Sequence, residues 1–163
     1  MRELAFAIFG FLIGLIPPWF SRKRRLRTHW CALRAEILQC KEKSEALLND
    51  NIQSPLYRLP NIAYQTSYPV LLADGAVDEK EVMVLGKFFG QVQDINRGLD
   101  NAAHIYMSDT PMGNKLRSEF DRNRLKAEKL SRGDATNPSL FDQSKDILDR
   151  KISLRWWQYK KSA

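Results

Sequence analysis

The chain has little of what metal and nucleophile chemistry draws on. Its 163 residues hold two cysteines and two histidines. There is no Cys-x-x-Cys pair, and no histidine stands at ligand spacing from either cysteine. Cys31 and Cys40 lie nine residues apart, about 900° around a helix, so they point to opposite sides and cannot bridge within it. Reduced thiols follow, with Cys40 packed on an apolar stripe. His29 beside a basic cluster and His104 near a helix end read as solvated or partly packed. Gly-x-Ser-x-Gly, His-Glu-x-x-His, Walker and Gly-x-Gly-x-x-Gly patterns are all missing. Sustained strand alternation, internal repeats and long low-complexity tracts are missing too. These absences exclude the common catalytic motifs and leave an all-α chain with no cofactor, no metal and no catalytic residue expected.

What is present is charge, unevenly placed. The formal net charge is +7. Arg22, Lys23, Arg24, Arg25 and Arg27 contribute +5, and Arg150, Lys151, Arg155, Lys160 and Lys161 another +5. The remainder is therefore −3. A basic body, which nucleic-acid binding wants, is not what this pattern describes.

Ahead of the first cluster, Leu4 to Phe20 is a run of 17 residues without charge. As a helix it rises roughly 25 Å, short of a hydrocarbon core of about 30 Å. Local thinning or arginine snorkelling covers such a deficit. Pro17 and Pro18 predict that regular helix stops near Leu15. Trp19 stands where an interfacial aromatic belongs. A cleaved signal would carry its charge before the apolar run and a small-x-small site after it. Here the charge follows the run. The positive-inside rule then predicts a single pass through an inner membrane, N-terminus outside and residue 22 onward in the cytoplasm. The expected organisation is a membrane anchor with basic flank over 1–27 and a helical bundle over 28–163.

The rest reads as helices with clear punctuation. Leu26, Trp30, Leu33, Ile37, Cys40, Ser44, Leu47 and Asn51 step by 4 and 3, a heptad seam. Small Cys40 and Ser44 let a partner helix approach. A second seam runs through Val82, Leu85, Phe89, Val92, Asn96, Leu99, Ala103 and Tyr106, with Asn96 setting register. Between them Pro55 and Pro60 mark a loop, and a short helix spans 61–73 with a bend at Pro69. Asp109 or Thr110 with Pro111 starts a charged helix that Gly133 ends. A last helix runs over 139–159, where Asp146 and Arg150 form an i,i+4 pair. The predicted fold is a small helical bundle with long antiparallel amphipathic helices. The two seams pair with each other or continue into a dimer.

"LLADGAVDEKEV" is the sharpest local signal. Gly75 suits a left-handed helix stop. Asp78 with Glu81 forms a capping box. Calcium loops alternate their carboxylates and end on a later glutamate; here a capped helical turn accounts for every acidic residue. The dozen residues are similar to the acidic Asp-Gly turn of tellurite-resistance-type helical proteins. More broadly, the apolar start, the basic flank and "LPNIAYQTSYPVLLADGAVDEKEVMVLGKFFGQVQDINRGLD" resemble a loose group of small bacterial single-pass membrane proteins of unknown function. That resemblance covers roughly residues 1–100 and implies an anchored helical protein with no catalytic motif.

Candidate contacts follow. Trp19, Arg22, Lys23, Arg24, Arg25 and Arg27 are expected at the lipid headgroups. So are Trp156, Trp157, Lys160 and Lys161, where rings and cations alternate. For that tail, core packing with a polar end, single-stranded nucleic acid and a protein surface are the competing readings. Asn96, Arg97 and Asp100 form a polar set for a partner carboxylate or a network within one helix. The expected role is a non-catalytic, membrane-anchored adaptor at the cytoplasmic face. Its partners are anionic inner-leaflet lipid and a protein or second copy met through helix faces, with nucleic acid disfavoured. The alternatives are a metal-responsive stress module at residues 74–81 and a membrane-associated nucleic-acid binder through the basic ends.

Overall fold

The computed structural model describes residues 2–49, 57–108, 113–133 and 138–153, and side chains from residue 19 onward within them. Among these the chain forms six helices and no strand. They are α1 (Arg2–Leu48), α2 (Ile62–Thr66), α3 (Tyr68–Ala73), α4 (Glu79–Met107), α5 (Gly113–Ser131) and α6 (Leu140–Ser153). The all-α bundle expected from the periodicity is what forms. Among the described residues no helix is long and apolar enough to cross a membrane, so the membrane helix expected at residues 1–27 is not supported.

One boundary departs from expectation. α1 does not stop near Leu15 but runs through Pro17 and Pro18 to Leu48. Proline's fixed φ of about −65° is itself helical, and its cost is a missing N–H bond and a crowded carbonyl one turn back. A long helix continuing on both sides tolerates that locally. α1 also passes unbroken across residues 27 and 28, where composition marks the change from anchor to bundle.

The helix stops and starts are made by local chemistry. Ala76 N–H donates to the Leu71 carbonyl (2.9 Å) and Gly75 N–H to that of Leu72 (3.0 Å). With Gly75 at φ 63°, this is a Schellman stop. Asp78 then accepts from Glu81 N–H (2.8 Å) while Glu81 accepts from Asp78 N–H (3.0 Å), the reciprocal capping box. α2 and α3 break at Ser67, and Pro69 lies in the first turn of α3, where its missing N–H costs nothing. Gly133, at φ 70°, follows α5. Asp109, Thr110 and Pro111, the expected start of α5, lie outside the described residues, as does the expected end of α6 beyond Ser153.

Both heptad seams face one core, except that Tyr106 at the end of the second is exposed and Asn51 at the end of the first lies outside the described residues. Trp30, Leu33, Ile37, Cys40 and Leu47 of α1 meet Leu85, Phe89, Val92 and Leu99 of α4 in that core. The two helices do not pair directly or run antiparallel. α2 and α3 return along α1: Glu36 holds α2, His29 meets Ser67, and Arg25 meets Asp74. α4 therefore sets off from the end at which α1's basic flank lies, and runs the same way as α1. α5 and α6 supply the antiparallel neighbours, packing against both long helices. α4 needs a broad buried face for this. Beside its seam, Glu81, Phe88, Ile95 and Ala102 are buried at seven-residue steps. Tyr64 of α2 stacks on Phe89 at 4.2 Å and on Tyr68 at 4.9 Å, closing the core on the α2–α3 side.

Candidate functional site

The end of the bundle where α1's basic flank meets the Asp-Gly turn gathers most of the chemistry. Heptad burial of α1 from Trp30 onward fixes the rotation of the helix, and that rotation aims Arg22 and Arg25 at the turn. Arg25 donates to an Asp74 carboxylate oxygen at 2.8 Å. Arg22 donates to the Asp74 carbonyl at 2.9 Å and lies 3.6 Å from its carboxylate. Two guanidinium groups thus satisfy the end of α3, where helix carbonyls favour cations. Arg22 and Arg25, two of the expected lipid-contact residues, thus also fasten the fold, while both side chains stay exposed. Lys23 lies 4.4 Å from the Trp19 ring centre, a cation–π pair. Partial burial lowers its ammonium from the ordinary lysine value. Trp19, Phe20, Arg24 and Arg27 are exposed. Trp156, Trp157, Lys160 and Lys161 lie outside the described residues.

A buried ion pair stands beside this junction. The Lys151 ammonium is 2.8 Å from the Glu81 carboxylate, with both side chains almost fully buried. It also donates to the Ala76 carbonyl (3.0 Å) and lies 5.6 Å from the Trp30 ring centre. Arg150 donates to the other Glu81 oxygen at 3.3 Å, so its ion pair is with α4 across the bundle and not the one expected with Asp146. Three of the turn's four carboxylates are committed, and the fourth, Glu79, is exposed in the first turn of α4. Asp74 holds two arginines, Asp78 caps α4, and Glu81 holds a lysine, an arginine and a backbone N–H. Among the described residues no group of three or more His, Cys, Asp or Glu is arranged to hold a metal ion.

The polar set on α4 is also used, but not within one helix. Asn96 accepts from Leu59 N–H (2.8 Å) and donates to the Leu59 carbonyl (2.9 Å). One amide thus replaces a backbone partner for a segment that belongs to no helix. Asp100 pairs with Arg58 of the same segment. Arg97 is exposed. Asn96 and Asp100 therefore fasten the segment that carries Arg58 and Leu59.

Sequence reasoning missed several contacts. Glu36 is buried and accepts from Ala63 N–H (2.7 Å) and Tyr64 N–H (2.8 Å), capping α2 from another helix. Lys151 was legible as a cation on the apolar face of α6, four residues after Ile147 and three after Leu148. Asn123 is buried with neither amide atom hydrogen-bonded, and it sits where a Cβ on Gly98 would lie 1.9 Å from its oxygen. Cys31 is exposed and Cys40 buried. The Cys40 thiol donates to the Pro60 carbonyl at 3.2 Å. Burial, then the Glu36 carboxylate, pushes it up to about 12, against a smaller opposite pull from Lys43.

Clefts of about 330 Å³, lined by Ile105, Lys115, Ser118 and Arg122 among others, and about 400 Å³, lined by Gln39, Glu42, Lys43, Ala46 and Tyr57, open on the surface. Neither lining contains histidine or cysteine. No family model matches the chain, and no curated protein or solved structure matches it.

Proposed function

We propose that this chain is a non-catalytic helical adaptor, held at a membrane face by the N-terminal part of α1 and presenting its bundle to protein partners. One observation carries the reading. A single helix, α1, bears the 17-residue uncharged run at its start and supplies core residues from Trp30 to Leu47 further on. An anchor built this way is continuous with the body it holds. Exposed Trp19, Phe20, Arg24 and Arg27 support an interfacial collar between the two parts. The run is short for a bilayer, and the reading relies on local thinning and snorkelling to cover the difference. By the positive-inside rule the bundle lies on the cytoplasmic side.

Apart from exposed Tyr106, the described seam residues of α1 and α4 face the chain's own core. The surfaces left for a partner are those with exposed apolar side chains, such as Ile62, Met83, Leu125 and Tyr106. The test is fractionation of cells expressing the full chain, followed by carbonate washing of the membranes. Retention in the washed pellet is the expected result. Recovery in the soluble fraction before the wash overturns the reading.

A further inference from the structure

α5 and α6 are held very differently. α5 has 19 residues against 14 in α6. The buried side chains of α5 are Asn123, Ala127, Leu130 and Ser131. Residues 113–122, its first half, contain none; Leu116, Glu119 and Phe120 are half-buried there. The shorter α6 buries Phe141, Ile147 and Leu148. It is also pinned along its length, by Lys41 over the Phe141 ring, Arg34 on Asp149 and Lys151 on Glu81. On α5 the Lys126 ammonium donates to the Asp94 carbonyl at 3.4 Å, and the Gln91 amide donates to the Lys126 carbonyl at 3.4 Å. Both are longer than an ordinary N–H···O bond, which ends at about 3.2 Å. Arg122 spends its charge on Glu119 of the same helix, at 2.9 Å. The closest approach of α5 to α4 is at Gly98, where an added Cβ would lie 1.9 Å from the Asn123 oxygen. Asn123 is 1% exposed, and neither its oxygen nor its nitrogen is hydrogen-bonded. Closing α5 thus strips an amide of water and gives it nothing in exchange, an unfavourable contribution that undocking removes.

We propose that α5 is a strap that swings off α1 and α4 as a unit while α1, α4 and α6 stay assembled. Undocking it uncovers Ala127, Leu130 and the buried part of Phe120, a small apolar loss for a helix of this length. The assembly that remains keeps its own ties. Lys151 still joins α6 to Glu81 of α4, and Arg34 of α1 still joins Asp149 of α6; neither pair involves α5. Opening bares the stretches of α1 and α4 that α5 packs against. The chain thereby has a closed state and an open state that presents an inner wall. This goes beyond the adaptor reading and does not depend on attachment to a membrane.

The experiment is hydrogen exchange of the purified full chain, resolved to single amides, at rising urea below the global transition. The interior amides of α5 are expected to share one opening. That opening is about tenfold or more as frequent as the global unfolding that exposes the innermost amides of α4 and α6. Its urea slope is shallower, because less surface is uncovered. The same frequency and slope in all three helices overturns the proposal. So does protection in α5 that falls amide by amide from one end, which is fraying and not release of a unit. The second arm uses Lys151→Met, with Asp149→Asn as the milder variant should the first not fold. Each weakens contacts that persist in the open state. Exchange in α4 and α6 is expected to speed up while the opening of α5 stays within about twofold of the parent's. Acceleration of α5 by the same factor as α4 means that it opens only with the whole bundle, and overturns the strap.

Discussion

The Lys151 ammonium lies 2.8 Å from the Glu81 carboxylate, both groups buried, and ties the last turn of α6 to the first turn of α4. A buried pair is held by its mutual attraction and hydrogen bonds, and removing one member strands the other. Lys151→Met therefore destabilises the chain by roughly 3 kcal/mol, read as a fall in the urea midpoint. Adding Glu81→Gln to it costs less than the sum of the two single changes. Additive losses would show that the pair is not coupled.

Gly98 and Asn123 make a second coupled pair, of steric origin. A Cβ at position 98 would stand 1.9 Å from the Asn123 oxygen. Gly98→Ala is thus expected to destabilise by about 1–3 kcal/mol, although alanine favours helix over glycine by about 1 kcal/mol. Asn123→Ala clears the space and removes an unpartnered buried amide. In the double variant the alanine at 98 becomes neutral or favourable. A loss at 98 that persists in that background contradicts the packing described.

Asn96 serves both backbone groups of Leu59. Asn96→Ala leaves a buried N–H and C=O without partners, at about 1–3 kcal/mol for each such group. The damage is local to residues 57–61. Limited proteolysis accelerates there while α4 keeps its protection against hydrogen exchange. Cleavage at the parental rate would argue that other contacts hold the segment.

Asp149 accepts from Lys145 at 2.5 Å and Arg34 at 2.6 Å. The hydrogen bonds from Lys145, then Arg34, hold its carboxyl below the ordinary carboxylate value. A depressed folded-state value contributes stability that is complete above the unfolded value and lost as pH falls through the folded one. The stability gap between the parent and Asp149→Asn is therefore full at neutral pH and closes progressively below about pH 4. A gap independent of pH would exclude the ionised carboxylate as its source.

The thiols give a simpler contrast. Cys31 is exposed and Cys40 is buried, its thiol pushed up to about 12. A thiol reagent at mildly alkaline pH modifies one cysteine promptly, and the second only after denaturation. Prompt reaction of both would mean that α1 does not bury Cys40.

Features written in neighbouring residues were legible in the sequence. The Schellman stop at Gly75, the capping box of Asp78 and Glu81 and both heptad seams depend on side chains a few positions apart. What escaped depends on distant partners. Periodicity showed that α1 and α4 bury one face each, but not that α5 and α6 fill the space between them, nor that the two run the same way. Nothing near Glu36 in the sequence marks it as buried, because Ala63 and Tyr64, its partners, lie far along the chain, and Glu81 was legible as a cap but not as the partner of distant Lys151. The contacts of Arg22 and Arg25 with Asp74 escaped for the same reason, since Asp74 is met only after α2 and α3 return along α1. Pro17 and Pro18 misled in the other direction, as a local rule for stopping a helix that α1 overrides.

The measurement that bears most directly on the account is flotation of the purified full chain with phosphatidylglycerol-containing vesicles, compared with a variant carrying Leu12→Glu and Ile16→Glu. The account predicts that the parent floats with the vesicles and that the variant, still folded by its helical spectrum and urea midpoint, stays at the bottom of the gradient. A parent that does not float, or a folded variant that floats equally well, would contradict it.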